Sequence, residues 1–309
     1  MKKVLRANIY FLTILIIEIL GPYFLSPIYN ILGISDVRLI LLFNHLILFL
    51  IPAVIYLLVT KSSFKHTLKL NRLNWRDTLL IILLGFVVQP VMTFLSLIST
   101  FFFNNEVGSF IYEITSTPYI LLLGLVALLP SITEEVTIRG IVLSGYENIN
   151  KYLAAAITGL FFGIFHLDAQ QFLYAAVLGF VFALVVRITN SIYASMILHF
   201  IINGTSITFA KIAKIISDNL PIAAEATEFN LKNVTSGEKI LLLVVYGVIA
   251  IIFSIFVFLI IYALEKLKSK RTLLEGNIVI EDDSRKEKVF NLPFIIIIVI
   301  YLIYMIMTI

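Results

Sequence analysis

Apolar residues run along this chain in blocks of about twenty, with short polar stretches between them. A block of that length is what a helix needs to cross the hydrocarbon of a bilayer, about 30 Å at 1.5 Å per residue. The blocks fall at residues 8–32, 39–59, 79–103, 119–144, 152–167, 172–186, 192–212, 240–264 and 290–309. The fifth and sixth are shorter than a full span and are expected to tilt inside a bundle. Segments of ten residues alternating apolar with polar, the mark of a membrane barrel, are missing. The pattern predicts an all-α, polytopic transmembrane helical bundle of about eight to nine spans. It divides into an N-terminal part, 1–117, with several spans and a basic loop, a core on the fourth to seventh spans, 118–213, and C-terminal spans, 214–309.

The polar stretches are unequal in charge. Lys2, Lys3 and Arg6 precede the first block; Lys61, Lys65, Lys69, Arg72 and Arg76 follow the second; Lys266, Lys268, Lys270, Arg271, Arg285, Lys286 and Lys288 follow the eighth. Between the first and second blocks there is only Arg38, and between the third and fourth there are Glu106 and Glu113 and no cation. Residues 217–237 are mostly acidic and polar. Cations in short loops mark the cytoplasmic side, so the N-terminus is expected inside and the C-terminus outside. Met1 to Arg6 before an apolar run has the form of a signal sequence, but no small-x-small site ends that run, and a retained first span is expected. The basic loop, with Phe64, Leu68, Leu70 and Leu73 between its cations, reads either as an amphipathic helix on the inner leaflet or as a solvated loop that fixes topology.

Composition agrees. Hydrophobic residues make up 60% of 309, charged residues 14%, and mean hydropathy is +1.03. Soluble domains carry roughly 45–50% and 25% respectively. The net charge of +4 comes from topological loops, so it does not indicate nucleic acid as a partner. With no cysteine, disulfides, thiolate metal ligands and thiol nucleophiles are excluded. The abundance of Ile, Lys and Asn suggests a bacterial source, and the expected location is a bacterial plasma membrane. Asn203-Gly204-Thr205 and Asn233-Val234-Thr235 match the glycosylation pattern and are taken as incidental, the first because it lies within a span. Gly159 and Gly163 form a GxxxG that permits close helix contact.

The fourth block is interrupted by Glu134, Glu135 and Arg139. An ionised group facing lipid costs about 2.5–3.5 kcal/mol on insertion scales, so these three must face protein or a wet cavity. Glu135 and Arg139, four apart, share a face and can pair; Glu134 points elsewhere and has no local partner. One glutamate held and one free for chemistry is the functional reading, and a structural ion pair or a juxtamembrane loop is the plain one. Of the four histidines, His66 lies in the basic loop and His45 sits beside Asn44 as a helix–helix hydrogen-bonding pair. His166 and His199 lie on the fifth and seventh blocks, and Asn203 follows His199 by one turn. At 1.5 Å per residue, Glu134, His166 and His199 stand roughly 15, 20 and 12 Å from the inner ends of their spans. They and Asn203 can therefore meet in one cavity, expected to open to the cytoplasm. A glutamate and an imidazole can activate water as general base, while a second imidazole and an amide stabilise an oxyanion. Alternatively His166 and His199, with Glu134, can ligate zinc; the HExxH spacing is absent.

Glu134-Glu135-x-x-x-Arg139, Phe162-x-x-x-His166 and His199-x-x-x-Asn203, in that order on successive apolar segments, resemble the CPBP family. This family comprises the type II CAAX prenyl endopeptidases, bacteriocin-processing and self-immunity proteins, and relatives of the Abi type. The resemblance covers about a third of the chain, residues 119–205. It implies an all-α intramembrane protease acting at the cytoplasmic leaflet. In it Glu134 and His166 activate water, and His199 and Asn203 form the oxyanion hole or, in a metalloprotease reading, hold metal. Arg139 pairs with Glu135 and braces the site. The substrate implied is a membrane-associated or bacteriocin-like peptide, or a membrane protein, with CAAX-type processing as a further option. The partners are that substrate and the lipid bilayer. A non-catalytic immunity or scaffold protein is the alternative. A transporter using Glu134 and Arg139 as an ion relay is a third class, weakened because the acidic motif has no inverted repeat.

Overall fold

The computed structural model describes residues 2–219, 235–274 and 287–308. Asn233 and Val234 of the second glycosylation triplet, most of the acidic stretch after residue 217, and Arg285 and Lys286 of the last basic loop lie outside them.

The described residues are helical throughout, with no strand. α1 (Lys3–Ile31), α2 (Val37–Val59), a one-turn helix α3 (Phe64–Thr67), α4 (Trp75–Thr100), α5 (Glu106–Ile114), α6 (Tyr119–Gly145), α7 (Lys151–Phe165), α8 (Ala169–Thr189), α9 (Tyr193–Asn219), α10 (Ser236–Leu274) and α11 (Leu292–Thr308) follow in chain order. Seven of these are long and apolar enough to cross a membrane; α7 and α11, of 15 and 17 residues, are apolar but shorter. The chain is thus a multi-pass membrane protein built as a helical bundle. The sixth block is a full helix, α8, with Asp168 capping its start by accepting from the Gln171 amide. The apolar window had stopped short because Gln170 and Gln171 are polar.

Burial separates centre from periphery. About half of the apolar windows of α6 and α8 is buried (50% and 56%), against 6% for α10, which faces outward along its length. The centre is an α7–α8 hairpin closed by small residues: a Cβ on Gly159 would stand 2.6 Å from the Ala176 carbonyl oxygen and 2.7 Å from the Phe180 nitrogen. The GxxxG thus packs one hairpin arm directly on the other's backbone.

Three turns of the spans are widened to π-type geometry, at His45–Leu50, Leu123–Leu128 and Val136–Val142. Two of them lead into a proline, Pro52 and Pro130. Proline lacks an N–H and its ring clashes with the carbonyl four residues back, so the preceding turn loosens and a carbonyl is released.

The basic loop exposes Lys61, Lys65, Arg72 and Arg76 and carries the one-turn α3, but its middle is tied into the bundle. Leu68 and Lys69 are buried. Leu68 rests on Gly140, where a Cβ would meet its Cδ2 at 2.5 Å. The Ile192 amide donates to the Lys69 carbonyl at 3.1 Å, Lys69 Nζ donates to Asn190 Oδ1 at 3.0 Å, and Ser191 Oγ donates to the Asn71 carbonyl at 2.6 Å. Burial holds the Lys69 ammonium below its ordinary pKa. Asn190, in left-handed backbone at the C-terminus of α8, offers this loop its side-chain oxygen and its carbonyl, which accept from Lys69 and Asn71.

Gly159→Ala is expected to collapse the folded yield in detergent, because the new methyl meets backbone on both sides. Gly124→Ala, where nothing lies within 4 Å, is expected to leave size-exclusion profile and melting temperature unchanged.

Candidate active site

The site starts from a fully buried ion pair. Arg139 Nη1 donates to Glu135 Oε1 at 2.8 Å, and both side chains are fully buried. Arg139 also stacks between two rings: its guanidinium carbon is 4.0 Å from the centroid of Phe162 and 4.9 Å from that of Phe182. Its Nη2 donates to the Gly179 carbonyl at 3.4 Å. The planar, delocalised cation suits this slot better than an ammonium would.

Glu135 Oε1 takes a second bond, from His199 Nδ1 at 2.9 Å. Since a carboxylate only accepts, Nδ1 carries the proton and the ring presents Nε2 the other way. Nε2 stands 3.9 Å from Glu134 Oε2, too far for a direct bond and a span that one water can bridge. Glu134 itself is 12% exposed, and its Oε2 has no hydrogen-bond partner in the protein. The two adjacent acids thus divide as their spacing predicts, Glu135 held and Glu134 free.

His166 terminates α7. Its Nδ1 donates to the Phe162 carbonyl at 2.7 Å, one of the carbonyls a helix end leaves without an amide. Its Nε2 is thereby an acceptor. Phe162 meets this ring edge-on at 4.7 Å and the His199 ring at 5.9 Å, so a single phenylalanine spaces both imidazoles and the arginine. Asn203 Nδ2 donates to the Val126 carbonyl at 3.1 Å; that is the carbonyl whose normal donor would be the missing N–H of Pro130. One amide proton of Asn203 remains for a ligand.

Glu134, His166, His199 and Asn203 all line one cavity of about 670 Å³, within the usual range of ligand sites. Among the other polar residues that line it, a carboxylate and an imidazole were not placed there by the sequence reading: Glu18 of α1 and His45 of α2. His45 and Asn44 both make helix–helix hydrogen bonds, each to a different helix. His45 Nδ1 bonds Thr133 Oγ1 at 2.9 Å, while Asn44 accepts from Tyr29 at 2.8 Å, because neighbours on a helix point to different helices. Glu18 Oε2 is buried without a partner. The cost argument that singled out Glu134 applies equally to this lone acid in the first span. The zinc alternative does not fit: among the described residues no three His, Asp or Glu side chains are placed to hold a metal ion, with Glu135 committed to Arg139 and His199.

Residues 116–205 match the family model described as Type II CAAX prenyl endopeptidase Rce1-like. Those residues contain all three motifs, and the description is that of a peptidase family. No curated protein matches the chain, and no solved structure does.

Arg139→Met is expected to strand the Glu135 carboxylate in a dry interior. Breaking one side of a buried pair costs about 3–5 kcal/mol, to be read as a large drop in the detergent melting temperature. Arg139→Lys is expected to recover only part, since it keeps the charge and loses the stack.

Proposed function

We propose that this chain, whose residues 116–205 carry the Rce1-like core, is an intramembrane endopeptidase that hydrolyses a peptide bond with a water held by Glu134 and His166. The observation that carries this reading is the unpartnered Glu134 carboxylate in one cavity with two histidines whose tautomers are set by their other nitrogens, His199 Nε2 standing 3.9 Å from it. The water lies against Glu134 and the Nε2 lone pair of His166. Glu134 takes a proton as the water oxygen adds to the scissile carbonyl carbon. The oxyanion is received by the free N–H of Asn203, on the side of the cavity where His199 lies. Glu134 then passes its proton to the departing nitrogen as the C–N bond breaks, leaving a carboxylate and an amine. Arg139 neutralises Glu135, and Glu135 orients His199; both act through another group. No step is routed through a metal.

The substrate is a peptide or membrane protein that can offer an extended backbone within the bilayer. A prenylated C-terminal motif and a bacteriocin-like precursor are its candidate forms. Non-catalytic immunity or scaffolding would require the same cavity without turnover.

Glu134→Gln keeps size and polarity and removes the base. Comparison of peptide termini between cells carrying the wild type and this variant is expected to show cleavage events lost at equal expression. With a substrate in hand, the rate should fall by about 10²- to 10⁴-fold, the usual worth of a positioned base. Full processing by Glu134→Gln would sink the enzymatic reading. Chelator treatment of purified protein is expected to leave activity unchanged.

A further inference from the structure

The cavity runs from Glu134 and His199 in one direction only. Its far walls are Ser96 in the second half of α4, Val126 in the first half of α6 and Ile207 in the second half of α9. Val107, Phe110 and Ile111 of α5, the helix that joins α4 to α6, complete them. None of the connections at 60–74, 146–150 and 190–192 contributes a lining residue. That end is closed by Leu68 on Gly140 and by the Lys69–Ile192 and Ser191–Asn71 bonds.

The closed end is the basic end, and contacts rather than loop counting show it. Lys3 and Lys69 both approach Glu147, at 3.6 and 3.9 Å. Arg271, at the end of α10, bonds Asp77 at the start of α4 at 2.6 Å. The basic N-terminus, the basic second loop and the basic end of α10 therefore share one side. At the other end lie Glu106 and Glu113, exposed on α5, and Asp36, to which Arg38 is bonded. Basic ends of membrane bundles stay in the cytoplasm.

We infer that the catalytic cavity is entered from the extracytoplasmic side, and that its substrate is a polypeptide segment presented there after translocation. The decisive juxtaposition is a site sealed by the basic loop beneath it and walled above by α5. This replaces the cytoplasmic opening expected from motif depth. Depth along a span fixes how far a residue lies from an end, not which end is open. α5 is amphipathic, with Val107, Phe110 and Ile111 against the cavity and Glu106 and Glu113 toward solvent. The identity of the substrate rests on the endopeptidase reading; the route of entry does not.

The chain has no cysteine, so single-cysteine variants of the full protein report access without background. Val107→Cys and Ser206→Cys probe the cavity, Glu113→Cys the outer face and Lys270→Cys the basic end. A membrane-impermeant maleimide is applied to intact and to permeabilised cells. We expect Val107→Cys and Ser206→Cys to label fully in intact cells, as Glu113→Cys does, with Lys270→Cys labelling only after permeabilisation. Cavity cysteines that label only after permeabilisation, or in neither preparation, overturn the inference. So does an inverted pattern in the two controls. The same labelling on a Glu134→Gln background needs no catalysis, so it stands or falls separately from the protease reading. Cleavage products lost in Glu134→Gln should come from the extracytoplasmic fraction, and their recovery from the cytosol instead would overturn the substrate assignment.

Discussion

The fully buried bond between Arg139 and Glu135 is the constraint on which the other site contacts rest. Two charges taken out of water cost several kcal/mol each, and only close geometry with further hydrogen bonds repays that. Here one carboxylate oxygen receives both Arg139 and His199, and the guanidinium lies between Phe162 and Phe182 with a carbonyl at its edge, while Glu135 Oε2 and Arg139 Nε are buried without a partner. The pair therefore does more than neutralise itself. It fixes the oxygen to which His199 bonds, and with that the direction of the ring nitrogen facing Glu134. With Glu135 paired, Glu134 beside it stays without a hydrogen-bond partner, and the two acids do not compete for the same cation.

A second economy concerns backbone carbonyls. In hydrocarbon each polar backbone group must be satisfied inside the protein, so a proline within a span creates a debt. The bundle settles it with side chains of the site. Asn203 takes the carbonyl of Val126 that Pro130 leaves without a donor, and His166 takes a carbonyl at the end of its own helix. Each side chain is oriented by a defect of the helix it touches. The widened turn at Val136–Val142 works similarly for shape: it carries Arg139 inward and presents Gly140 to Leu68.

Much of this was legible in the chain, for identifiable reasons. Span positions could be read because a bilayer imposes length and apolarity together, and nine of the predicted blocks coincide with helices among the described residues. The pairing of Glu135 with Arg139, and the freedom of Glu134, follow from helical spacing alone. What spacing could not supply is which helix lies opposite. Asn44 and His45 are sequence neighbours whose partners come from α1 and α6. Glu18 carries no motif and becomes visible only when α1 is placed beside the cavity. The anchoring of the basic loop was not legible either, since its Leu68 meets a glycine 72 residues further on and the contact is tertiary.

The shortness of α7 ties these elements together. Fifteen residues of helix rise about 22 Å, less than the hydrocarbon thickness of about 30 Å. A helix that starts at the basic end therefore stops inside the membrane, and irregular backbone at that depth survives only where protein or a cavity surrounds it. The turn after α7 meets both conditions. Leu167 takes left-handed backbone there, Asp168 caps α8, and Gln170 bonds Ser96 and Thr100 of α4 at 2.9 and 3.1 Å. His166 sits at the mouth of this turn with its Nε2 toward the cavity. Had α7 continued, the carbonyl that fixes the tautomer of His166 would have been used by the next turn of helix.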